Sequence, residues 1–134
     1  MRAGPAIAVP RVLRAIAGIT VATGALTAIR PGLVLGELSP RPTPMDRQLF
    51  GTIGMFMVVS GGTLHRALAA PHPERGVLIW SAVQKLGASA AMGIGVSHGL
   101  YARRALAVAG FDFASGLGCL AYAAALSESE ERSG

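Results

Sequence analysis

The chain's only lysine, Lys85, lies in IWSAVQKLGASAAMGIG, with apolar and small residues continuing for more than a turn beyond it. An aspartate, Asp112, lies in a second apolar run, FDFASGL. An ammonium and a carboxylate held away from water can neutralise each other as a structural pair, or can form a proton, ion or ligand site. The other polar residues in apolar context are Arg47, His65, Gln84 and His98. Taking about 100° per residue on a helix, Arg47, Gly51, Gly54, Gly61 and His65 fall within about 40° of one line. Trp80, Gln84, Gly87, Ala91 and His98 share another face, with Lys85 about 100° to one side.

The solvent around these residues follows from composition. Among 134 residues, 51% are hydrophobic, 14% charged and 5% aromatic, with 18 glycines, and the mean hydropathy is +0.50. Such a chain is too apolar for an ordinary soluble domain of its size, and its small residues suit close-packed membrane helices. The 12 basic residues against 7 acidic ones do not indicate nucleic acid, because no basic run interleaves with aromatics. The arginines sit instead at the ends of apolar runs, where they can reach phosphate headgroups. The single Cys119 excludes an internal disulfide and any CxxC site, and reads as a small buried hydrophobe.

Four apolar segments, at about residues 12–29, 48–70, 76–102 and 105–126, each approach the roughly 20 residues that cross about 30 Å of hydrocarbon. The first is read as a retained helix rather than a signal peptide, since it is long and AIRPG is a poor cleavage site. PHPER and YARR are short links that force antiparallel neighbours. The sequence therefore predicts an all-α, membrane-spanning, up-down four-helix bundle over residues 1–126, followed by a disordered acidic tail at 127–134. The longest link, Arg30 to Asp46, contains four of the eight prolines and cannot be one helix, though GLVLGEL can form a short interfacial turn. Arg2, Arg11, Arg14, Arg66, Arg75 and Arg132 on the terminal face nearly balance Arg30, Arg41, Arg47, Arg103 and Arg104 opposite. The positive-inside rule then gives only a slight preference for cytoplasmic termini in a bacterial inner membrane.

Helical rise tests which groups can meet. Lys85 lies about 14 Å from the PHPER end of its helix and Asp112 about 11 Å from the YARR end of the next. In a slab about 30 Å thick their Cα levels differ by roughly 5 Å, which a lysine stem can span. Arg47 starts on the same membrane face as Asp112 and competes for it; a shared arrangement would leave positive charge for an anionic headgroup or ligand. His65 and His98 fall near opposite faces, about 20 Å apart in depth, which argues against joint haem or metal ligation and favours hydrogen bonding. Small residues recur every four positions at Gly87, Ala91, Gly95 and Gly99, and again at Gly110, Ala114 and Gly118. They predict close packing within the bundle, or alternatively a homo-oligomer or larger membrane complex. No nucleophilic triad, phosphate loop or paired-carboxylate site is present in the sequence, and no cofactor is indicated.

The set PGLVLG, RQLFGTIGMFMVVSGG, ALAAPHPER, QKLGA and FDFASGL resembles a group of small bacterial membrane proteins with four predicted helices, loosely DoxX-like in size and span number. The resemblance covers about residues 12–124 and marks Arg47, Lys85 and Asp112; it implies an architecture and no activity. The leading functional expectation is a non-catalytic accessory subunit, or a binder of a lipid-soluble small molecule in the polar-lined bundle. One alternative is a small oligomeric proton-coupled transporter, with Asp112 as its membrane carboxylate. Another is an enzyme acting on a lipid or quinone through Lys85, His65 or Asp112.

Overall fold

A computed structural model describes residues 5–134. Among these residues the chain is all-α: α1 (Pro5–Ile29), α2 (Pro31–Leu38), α3 (Pro44–Ala69), α4 (Arg75–Ser97) and α5 (Ala105–Ser133), with no strand. Local chemistry sets several of these ends. Pro31 and Pro44 open their helices at positions where a missing N–H costs nothing. Thr43 and Asp46 form a reciprocal capping box on α3, each side chain accepting from the other residue's backbone N–H. α4 ends in a Schellman turn: the Leu100 N–H donates to the Gly95 carbonyl at 2.9 Å and the Gly99 N–H to that of Val96 at 3.0 Å. Gly99 takes φ 71, a left-handed conformation that favours glycine.

Several expected boundaries are corrected. α4 stops at Ser97 rather than near Ala102, so Gly95 and Gly99 are not a GxxxG pair on one helix. α5 runs to Ser133, so the acidic segment expected to be disordered is helical. α1 begins at Pro5 and carries Pro10 within it. GLVLGEL forms α2 together with Pro31. Arg2, which entered the charge comparison, lies outside the described residues.

The long helices form two tight antiparallel pairs, α1 with α3 and α4 with α5, which touch each other far less. Glycine makes the first pair possible. A β-carbon on Gly24 would lie 2.8 Å from the Gly54 carbonyl oxygen, and one on Gly54 would lie 2.6 Å from that of Gly24. The glycine-lined face expected on α3 is thus its packing face. The ridges expected on α4 and α5 are packed only in part: Gly87 and Gly110 face open space, whereas Gly95 lies against the Tyr101 ring and Gly118 approaches Leu13 of α1. Gly116, outside that ridge, receives Leu86 of α4.

The two pairs converge at one end and part at the other. At the end nearest the α3–α4 link, the sealed core joins Leu13 and Ala17, Leu64 and Leu68, Leu78 and Ala82, and Cys119 and Ala123, one couple from each long helix. Outward surfaces carry large apolar groups, among them Val12 and Ile19, Phe56 and Val59, Val83 and Ile94, and Phe113 and Leu117. By length and composition α1, α4 and α5 can cross a membrane, three helices rather than the four expected. α3 is long enough at 26 residues, but its glycines, Thr52, Ser60, Thr63 and charged ends lower its apolarity.

Candidate functional site

Where the helix pairs part, α4 and α5 bring Lys85 and Asp112 together. Antiparallel register supplies the match: Ser89 donates to the Ala109 carbonyl at 2.8 Å, and Gly116 packs near Ala82 and Leu86. Lys85 and Asp112 fall between these contacts. The Lys85 Nζ donates to Asp112 Oδ1 at 3.0 Å and to Thr20 Oγ1 of α1 at 3.2 Å. It also lies 5.4 Å from the centre of the Phe111 ring, within reach of a cation–π attraction. Lys85 is 3% exposed and Asp112 21%, so the pair is shielded on the lysine side and accessible on the carboxylate side. The Thr20 hydroxyl in turn donates to the Ile16 carbonyl at 3.0 Å. A chain of donors thus runs from Lys85 into the α1 backbone, satisfying groups that would be costly to bury alone.

This cluster forms one wall of a chamber of about 260 Å³ between the helix pairs. Thr20, Thr23, Thr27, Gln84, Lys85 and Asp112 supply its polar groups, and the remaining walls are mostly aliphatic side chains with Phe50. Val34 and Leu38 of α2, together with Tyr101, line its far end. That end is fastened by the Ala102 N–H, which donates to the Leu38 carbonyl at 2.7 Å, and by the exposed Arg104–Glu37 ion pair. Tyr101, Phe50 and Ile53 also line a crevice of about 450 Å³ on the other side of this closure, with Arg41 and Asp46 at its polar edge. An apolar enclosure with a few convergent polar groups can orient a small molecule by hydrogen bonds while burying its remaining surface.

The expected Lys85–Asp112 pairing is present, and Gln84 joins it on the chamber wall. Arg47, the expected competitor, is exposed at the start of α3 and lies beside Gly32 of α2. The histidines do not join the cluster. His65 is half-buried beside Leu64, toward the sealed end, and His98 is the exposed C-cap of α4. Thr20 and Tyr101 were not anticipated. Thr20, Thr23 and Thr27 form a hydroxyl stripe at helical spacing on α1, a sequence signal that could have identified them. Compared with known proteins, the chain matches no family model, no curated protein and no solved structure.

Proposed function

We propose that the chain is a small multi-pass protein of a bacterial cytoplasmic membrane, both termini inside, that holds a lipid-soluble small molecule between its helix pairs. On this reading α3 is embedded with the other three long helices, giving the up-down four-span bundle. Its hydroxyls are internally satisfied, with Thr52 donating to the Gln48 carbonyl, Ser60 to that of Met57 and Thr63 to that of Val59. Its outer surface presents Met55, Phe56 and Val59. Backbone and hydroxyl groups satisfied within the helix, beneath an apolar exterior, meet the requirements of a lipid solvent. The resemblance to small bacterial four-helix membrane proteins, loosely DoxX-like in size and span number, would imply the same architecture and no activity.

The chamber beside Lys85 and Asp112 carries the functional reading. A structural ion pair alone needs no cavity, since filling the space would increase dispersion contacts. The test is to purify the protein in mild detergent, extract it and identify co-purified small molecules by mass spectrometry. Wild type should yield one enriched compound near one equivalent per chain, and the charge-free double variant Lys85→Met/Asp112→Leu should lose it while remaining folded. A folded wild type that yields only bulk membrane lipids, in the proportions of the membrane, would overturn the reading.

A further inference from the structure

The chamber has a sideways opening. An outer groove of about 290 Å³ between α1 and α5 is lined by Ile19, Ala107 and Phe111, and shares Thr20, Thr23, Met57, Val108 and Asp112 with the chamber. Ile19, Ala107 and Phe111 are exposed on the bundle surface, where a membrane-embedded chain meets acyl tails. α1 and α5 touch as little as α3 and α4 do, and the α1–α5 contact at Leu13 and Gly118 lies toward the sealed end. The α2 end is closed by Tyr101, Leu38 and the Ala102–Leu38 hydrogen bond.

Charge and volume restrict what can use this opening. Lys85 and Asp112 already neutralise each other, and an added ionic head would be an uncompensated charge in a low-dielectric site. At about 260 Å³ the chamber falls below the roughly 300–1,000 Å³ of typical ligand sites. It accommodates a compact head or a single chain rather than a two-tailed lipid. Asp112 lines both spaces, and its Oδ1 accepts from Lys85. It can therefore accept from a ligand hydroxyl, while Lys85 can donate to a ligand oxygen.

We infer that the ligand is a neutral, single-chain amphiphile with a hydroxyl or carbonyl head, and that it passes laterally from the bilayer between α1 and α5 to reach Asp112 and Lys85. This rests on the chamber being a binding site. The experiment photolabels the full-length protein in phosphatidylcholine vesicles with diazirine-bearing hexadecanol, hexadecanoate or hexadecylammonium, and maps the modified residues by mass spectrometry. The alcohol should give saturable labelling at residues 19–23 and 107–112, displaced by unlabelled hexadecanol, and should exceed both ionic probes. Ala107→Trp, a surface substitution in the groove, should reduce labelling on the order of tenfold, the change that about 1.4 kcal/mol represents. Leu100→Trp, on the crevice side of the closure, should leave it unchanged. Circular dichroism and thermal midpoints check the fold of both variants. Saturable labelling that is lost in Leu100→Trp but kept in Ala107→Trp would overturn lateral passage while leaving the chamber a site. Preference for an ionic probe would overturn the neutral class, and no saturable labelling by any probe would remove the chamber reading as well.

Discussion

The Tyr101 ring lies directly over Gly95: a β-carbon at that glycine would fall 2.5 Å from Tyr101 Cε2. The Schellman turn at Gly99 reverses the chain after α4 and lets the aromatic ring fold back over the helix it has just left. Gly95 is therefore the seat of the residue that closes one end of the chamber. Gly95→Ala should displace the ring, at a cost of about 1–3 kcal/mol typical of overpacking. The opening can be followed with Met92→Cys in a Cys119→Ser background, because Met92 lines the chamber. A water-soluble thiol reagent should modify that cysteine faster when Gly95→Ala is added. An unchanged rate would mean that Tyr101 does not limit aqueous access.

Lys85 and Asp112 should show strong thermodynamic coupling. Removing one member of a buried pair leaves the other uncompensated and typically costs about 3–5 kcal/mol, whereas replacing both with apolar groups is often neutral. Lys85→Met should therefore destabilise the chain strongly, and Lys85→Met/Asp112→Leu should recover most of the loss in a double-mutant cycle. Asp112 is 21% exposed, which places the expected cost toward the lower end of that range. Additive single effects would show that the two side chains do not act as a pair.

Sequence reasoning located this pair because a short link and a constant rise per residue fix the relative depth of groups on neighbouring helices. Depth does not fix azimuth, so Arg47 remained a rival until its position beside Gly32 was known. The same limitation affected the small residues. Gly54 and Gly61 pack on α1, whereas Gly87 and Gly110 face outward, although all belong to similar periodic patterns. α3 looked as apolar as its neighbours because glycine interrupts its polar residues without adding oil-soluble surface. The acidic end of α5 is helical because extending an existing helix fixes one residue per new hydrogen bond, without a fresh nucleus. Tyr101 falls both at the end of the apolar segment 76–102 and in the YARR link, and nothing in its one-letter context reveals that Gly99 turns it inward.

The α1–α3 seam offers a test in which size alone changes. Gly54→Ala would bring a methyl group 2.6 Å from the Gly24 carbonyl oxygen, so the two backbones must separate. Destabilisation at or above the usual overpacking range of about 1–3 kcal/mol is expected. Gly62→Ala has open space for its β-carbon, and alanine is the better helix former by up to about 1 kcal/mol. It should be neutral or slightly stabilising. Thermal unfolding of both variants in the same detergent separates a packing effect from a general effect of replacing glycine; equal midpoints would exclude the close seam.

Outside the spans, the start of α3 should respond to acid in a defined direction. Asp46 accepts from the Thr43 backbone N–H at 2.8 Å and from the Thr43 hydroxyl at 2.7 Å. These bonds favour the carboxylate and hold its pKa below the ordinary value of 3.8, chiefly through the backbone N–H. The folded chain thus loses this proton more readily than the unfolded chain. The ionised cap contributes fully above the unfolded value, and its contribution disappears as pH falls through the folded value. Asp46→Asn removes the charge while keeping an acceptor, so its thermal midpoint should lie below wild type near neutrality. The two should converge as pH falls below about 4, where unfolded aspartates protonate. A gap that stayed constant across that range would assign the effect to side-chain geometry rather than to the ionised capping box.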